Sequence, residues 1–586
     1  MTASRASGAV FALVLAFGAP AGAQTAPGAP VPLGPAVVAP QPPPSAPPGQ
    51  PPRAARGRSD LPISVDKLGA VDPDSVGLIG DADGGLGVAM WRGTSRALAI
   101  ELVQSIPVPV ASPAMRSLAR RLLVTTATAP EGKSDEGPLL LARVKKLTEL
   151  GAVADATELI RSAPAGASDE RMAQLEVEGL FYANDNSSAC ARVRGAAFQS
   201  SYWQRALAYC LALAGEGEKA SVISDLLRER GVEGSSAFFG LIDAITGDKN
   251  AKIDLPVEPS ALELSMMRAA SRKLPDAVAQ SSRAAVLRVM ALSPNADLAA
   301  RLAAAERAAE FGAIDPSQLA EINAGVPFTP EDVSKALSIA ESQWGPRARS
   351  LLLRAALAQS VPAARMEALK RGFALAHDKG GLAAFRIVIL PALEGFAPSG
   401  ETMPVAADVG TTLYDLGRAK DAGAWYTAVE RAAPGNEDAA RAWTALWPPA
   451  QLAAKPDAWD KEMVAKWRAA QGPAGKEAAG RARAAMVFAL FEALNQPFPP
   501  EAWTGLLGGP RAEAATPPDP AMIYALDHVA REGRRAETVA LALQAIGSGG
   551  PAAASPLALG VVASALSRVG LEGDARALAV EAACGG

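Results

Sequence analysis

The residues best equipped for chemistry in this chain are few, and their spacing argues against catalysis. His377 and His528 are the only histidines, and each falls alone on a predicted helix. A zinc hydrolase needs two histidines one helical turn apart, or a Cys/His cluster, because metal ligation draws several donors to one point. Neither pattern occurs, so both histidines read as surface or packing residues.

Other partial motifs fail in the same way. Ser64-Val-Asp-Lys67 has the spacing that sets a lysine beside a nucleophilic serine. It lies in an extended stretch next to Pro62, however, and no K-T-G partner follows. Gly472-Pro-Ala-Gly475-Lys476 is too short for a phosphate loop and lacks the hydroxyl residue that would hold magnesium. The acidic turns Asp72-Pro-Asp74 and Asp81-Ala-Asp83-Gly84-Gly85 invite a calcium reading. Counted from Asp81, an EF-type loop needs an oxygen donor where Gly85 stands, glycine where Leu86 stands and glutamate where Arg92 stands. No catalytic, cofactor-binding or metal-binding residue is assigned.

Cysteine and tryptophan carry more information. Cys190 and Cys210 fall on successive predicted helices of one hairpin, where antiparallel neighbours reach bonding distance. A disulfide is favoured over two buried thiols, and Cys584 is then left over and expected on the surface. Of nine tryptophans, Trp425, Trp443, Trp447, Trp459 and Trp467 cluster within one short region. Trp443, Trp447, Trp459 and Trp467 are candidates for a partner-binding face, since tryptophan is enriched at binding hot spots. Filling gaps between alanine-rich helices is the stronger reading for them. Trp91, in a glycine-rich stretch, is expected at an interface.

The elements that position these residues are helices. Charge is nearly balanced, with 57 basic against 61 acidic residues, which is no footprint for nucleic acid. Apolar content comes largely from alanine, the best helix former, and strand formers never alternate over a long run. The fold class is all-α. In Ser201–Arg230, one apolar-faced helix stops at Gly215-Glu-Gly217 and a second begins with Ala220 on its apolar face. That six-residue phrase recurs as Gly151…Ala156, Gly215…Ala220, Gly417…Ala422 and Gly570…Ala575, with Gly533…Thr538 a near miss. The glycine ends one helix, and the alanine sits where the next packs against its partner.

Around Gly417 the pattern extends to Gly410, Tyr426 and Pro434, and this spacing resembles the tetratricopeptide repeat. Ala406 and Leu413 depart from it, standing where the motif has tryptophan and tyrosine. The resemblance implies an α-solenoid of stacked helical hairpins. The whole chain also resembles uncharacterised exported alanine-rich proteins of Gram-negative bacteria.

The organisation expected is a signal peptide at 1–23, with Ala21-Gly22-Ala23 as its cleavage site, then a proline- and alanine-rich linker at 24–59. Twelve prolines fall between Pro27 and Pro52. An irregular segment at 60–110, with Ile63 and Val65 in an extended piece, is expected to cap the array. Helical sections follow at 111–255, 256–400 and 401–586. Helix starts are expected at Thr94 or Ser95, at Ser112-Pro113 and at Thr329-Pro330.

The function expected is that of a non-enzymatic scaffold or assembly factor in the periplasm, binding protein partners of the cell envelope and no nucleic acid. Flagellar-motor or polar assembly is the specific candidate. The alternatives are a periplasmic chaperone and a peptidoglycan-associated protein similar to the helical domain of lytic transglycosylases. Glu341-Ser342 echoes the start of the transglycosylase catalytic motif, but the G-L-M-Q stretch is absent. An N-terminal anchor in the inner membrane is the alternative to cleavage of the signal.

Overall fold

Every glycine of the repeated phrase ends its helix in the same way. Gly151, Gly215, Gly417, Gly533 and Gly570 have φ of 82°, 81°, 74°, 72° and 80°. That is the left-handed region in which a side chain is strained. At Gly417 the N–H donates to Tyr414 O (3.0 Å), and the Arg418 N–H donates to Leu413 O (2.7 Å). These bonds satisfy carbonyls that a helix end leaves open. The same pair of bonds recurs at the other four glycines. Five residues further on, Ala156, Ala220, Ala422 and Ala575 are buried. Thr538 holds the equivalent place after Gly533, also buried, with its hydroxyl turned back to Arg534 O (2.8 Å).

A sixth copy of the turn has no glycine. Asn184 takes φ 62°, its N–H donates to Phe181 O, and the Asp185 N–H donates to Leu180 O. Five residues later Ala189 is fully buried. Asparagine enters the left-handed region more readily than most residues. With this turn included, positions 151, 184 and 215 mark successive hairpins 33 and 31 residues apart.

The computed structural model describes residues 71–135, 137–164, 169–231, 236–454, 460–471, 477–494, 498–508 and 519–585. The signal peptide, the linker, Ile63, Val65 and Ser64–Lys67 all lie outside them. The described residues form 29 α-helices and no strand, only two isolated parallel bridges, Ile79 to Thr125 and Ser95 to Glu131. The fold is all-α. Helix starts use the expected caps: Ser95 accepts from Leu98 N–H, Ser112 from Met115 N–H and Thr329 from Asp332 N–H.

The described part of the segment before the first helix is irregular, with extended backbone at Val76 and Gly80 between its turns. It forms two 3-10 turns, Pro73–Ser75 and Asp81–Asp83. Asp72 and Asp74 both bind Arg96, and Asp74 also accepts from Leu140 N–H (2.7 Å). Arg143, fully buried, donates to the carbonyls of Leu123, Asp74, Val76 and Thr125. These acids therefore pin the segment to the helices behind it.

This segment does not cap a free end. The Ala536 N–H donates to Met90 O (3.1 Å), Arg535 to Leu86 O (2.9 Å) and Gln544 to Leu102 O (3.3 Å). Helix Pro113–Val124 packs against Arg535–Ile546 and against the last helix, Glu572–Cys584. Between them Arg121 holds Asp574 with bonds of 2.6 and 2.8 Å. In a linear stack each hairpin touches only its neighbours. Here the first two helices meet helices Arg535–Ile546 and Glu572–Cys584, and one hydrophobic core runs from Leu86 to Cys584. The unit so formed spans Ala70–Gly586.

Candidate functional site

Several hairpin ends converge on one cavity of about 960 Å³. Helix Pro113–Val124 contributes its first two turns and helix Pro316–Ala324 its beginning. The turns around Gly151, Gly312 and Gly417, together with the end of helix Leu390–Leu393, complete the wall. Gly312 has φ 74°, and a Cβ there would stand 2.6 Å from Arg116 Nε, so both backbone and space demand glycine. The floor is apolar, built by Leu150, Phe311, Ile314, Ile387, Leu390 and Leu416. Such a floor holds an apolar body by removing its surface from water.

Charges ring the mouth, and they divide into two groups. The three arginines are engaged. Arg116 donates to Val110 O (3.1 Å), Ala111 O and Glu310 O, tying the start of its helix to the end of another. Burial lowers its pKa to about 10, which leaves it charged at neutral pH. Arg120 forks onto Asp155, and Arg418 is paired with Asp421 (2.7 Å). Asp315 accepts from the Ser317 hydroxyl (2.5 Å) and the Gln318 N–H (2.9 Å), bonds that hold its carboxyl below the usual range. Glu321 and Glu394 are different: both are exposed, and neither has a side-chain hydrogen bond or ion pair among the described residues. Arg116, bound only to carbonyls, leaves one positive charge against the negative charges of Asp315, Glu321 and Glu394, so the balance among these lining residues is negative.

The residues singled out from the sequence lie elsewhere. Trp91, Trp443, Trp447 and Trp467 are all buried, which corrects their assignment to a partner-binding surface. Trp447 stacks on Trp467 with ring centroids 5.3 Å apart and meets Phe491 edge-on at 5.8 Å. Trp467 donates to Thr444 O (2.9 Å). Large rings here occupy the volume that alanine-rich helices leave between them. Trp91 lies in the core beneath the N-terminal turns, not at an interface. Trp459 is outside the described residues.

Cys190 and Cys210 are joined by a disulfide between helices Asn186–Gly195 and Ser201–Leu213. Cys584, expected on the surface, is buried instead, because the last helix inserts into the core rather than trailing from it. Burial pushes its thiol well above the usual range, with Asp415 adding to the effect. His377 pairs with Asp408 (2.9 Å) and His528 with Glu532 (3.1 Å), both histidines on exposed helix faces. Glu341, of the transglycosylase echo, forms an exposed ion pair with Arg371 (2.6 Å) at a helix end, away from the cavity.

Sequence reasoning missed the cavity itself. Phe311-Gly312 and Asp315-Pro316 signal a helix stop and a helix start, but nothing local says that they face Leu150, Leu390 and Leu416. Compared with protein-family models, curated proteins and solved structures, the chain matches none of them.

Proposed function

We propose that this chain is an exported helical scaffold that docks a protein partner of the cell envelope in the cavity between Arg116, Phe311, Leu390 and Leu416. The observation that carries the reading is the cavity: a large apolar floor open to solvent and walled by hairpin ends from sequence-distant parts of the chain. Buried apolar floors with a few polar groups at the rim are where proteins hold ligands and anchor side chains. The hairpin turns at 151, 184 and 215 support a tetratricopeptide-like origin, since their 33- and 31-residue spacing lies near that family's period of about 34. The Cys190–Cys210 disulfide supports an oxidising compartment, as export to the periplasm would supply.

The test is affinity capture from cross-linked envelopes with wild type and with Ala320→Trp. Ala320 lines the cavity on the half-buried face of helix Pro316–Ala324, so an indole there fills the space with little disturbance behind it. A stoichiometric protein captured by wild type and lost with Ala320→Trp is expected. A partner retained equally by both contradicts docking at this site.

A further inference from the structure

The charge pattern at the cavity mouth narrows what it takes. An apolar ligand alone would be served by the floor, and a ring of self-paired charges would be indifferent to its sign. Two glutamates at the mouth, Glu321 and Glu394, remain without partners among the described residues, while Arg120 and Arg418 are paired with Asp155 and Asp421 and Arg116 donates to backbone carbonyls. Asp315, which also lines the cavity, is held in its charged form by Ser317 and Gln318. An anionic ligand would meet the charges of Asp315, Glu321 and Glu394, against which only Arg116, held by carbonyls and not by a carboxylate, stands as an opposing charge. A cation brought close to the apolar floor gains from both features.

We infer that the cavity's ligand is a peptide segment of a protein partner that seats an apolar side chain on the floor beside Leu390 and presents an adjacent lysine or arginine to Glu321 and Glu394. This inference rests on the docking reading proposed above and adds to it the chemistry of the occupant. The carboxylates contribute selectivity and encounter rate more than raw affinity, so the apolar anchor and the cation are both needed.

The experiment uses the full chain and a random phage-displayed peptide library, followed by titration of a synthetic copy of the selected peptide. Selected sequences are expected to pair an apolar residue with a neighbouring lysine or arginine. Glu321→Gln with Glu394→Gln, two exposed positions whose change leaves the core untouched, is expected to weaken binding roughly tenfold. Added salt should narrow the gap between the variants. Replacing the peptide's basic residue with norleucine should weaken binding to wild type and leave binding to the double variant little changed.

The outcomes separate cleanly. Peptides lost with Ala320→Trp but bound equally by wild type and the double glutamine variant would overturn the charge inference while leaving the docking reading intact. Peptides that bind regardless of Ala320→Trp, or a selection that yields no cavity-dependent binder, would overturn both. If hexylammonium alone displaced the selected peptide at comparable concentration, the site would belong to a small amphipathic amine and the peptide assignment would fail.

Discussion

Ser112 and Glu581 are hydrogen-bonded to each other across 469 residues of sequence. The serine caps helix Pro113–Val124 from within, and the glutamate, from the last helix, also accepts from the Ala114 N–H (2.7 Å). One buried carboxylate thus satisfies an open N–H, and the capping hydroxyl, of a helix nearly the whole chain away. This contact, with Arg121–Asp574 beside it, fastens the two ends of the fold together.

The fastening is expected to depend on pH. Burial pushes the Glu581 carboxyl up to about 7, with Asp415 raising it further and Ser112, Ala114 and Arg116 opposing. In the unfolded chain it titrates near 4.5, so the folded state binds the proton more readily. This group's contribution to stability is therefore fully present below that value and is lost as pH rises through about 7, by roughly 3 kcal/mol. Thermal melts of wild type should shift downward between pH 5 and 8, and Glu581→Gln should flatten that part of the profile. Parallel profiles for the two proteins would show that Glu581 does not titrate in this window.

The Cys190–Cys210 bond closes a loop of 20 residues. Its removal by Cys190→Ser with Cys210→Ser is expected to destabilise the protein by about 3 kcal/mol in the chain-entropy model. Denaturant melts with and without reductant should reproduce that loss for wild type and leave the double variant unmoved. A wild-type midpoint indifferent to reductant would contradict it.

How much of this was legible follows from which interactions are local. The left-handed turns at Gly151, Gly215, Gly417 and Gly570, the caps at Ser112 and Thr329, and the hairpin disulfide all rest on residues close in sequence, and each could be read there. Asn184 made the same turn and went unnoticed because it hides the glycine signal. The burial of Trp447 against Trp467 and Phe491 depends on which hairpin faces which, and no local pattern states that. The Ser112–Glu581 contact depends on the last helix reaching back to Pro113–Val124, and the cavity behind Arg116 depends on turns near residues 151, 312, 390 and 417 coming together. An amphipathic helix shows that it must be covered and leaves its cover unnamed.

Trp447 is expected to matter for stability rather than selectively for partner binding. Trp447→Ala should cost about 3–5 kcal/mol, the usual penalty for emptying a large buried site. Chemical melts should show the loss, whereas Trp503→Ala, at a partly exposed position, should cost less. A normal melt for Trp447→Ala would contradict its place in the core.

Arg349 and Glu306 form a buried two-pronged ion pair, with bonds of 2.9 and 2.5 Å. Arg349→Met alone leaves the Glu306 carboxylate buried without its partner and is expected to cost about 3–5 kcal/mol. Adding Glu306→Leu should recover much of the loss, because desolvated charge rather than the missing bond dominates the penalty. Urea midpoints for the two variants decide it: a double variant no more stable than the single would refute this explanation.

The cavity is tested most directly by placing a photo-cross-linking phenylalanine analogue at Ala320, on its wall, and at Leu557, 61% exposed on a different helix. After illumination of intact cells, a single partner adduct is expected from position 320 and none from 557. Adducts from 557 alone, or equal labelling from both positions, would contradict docking in the cavity.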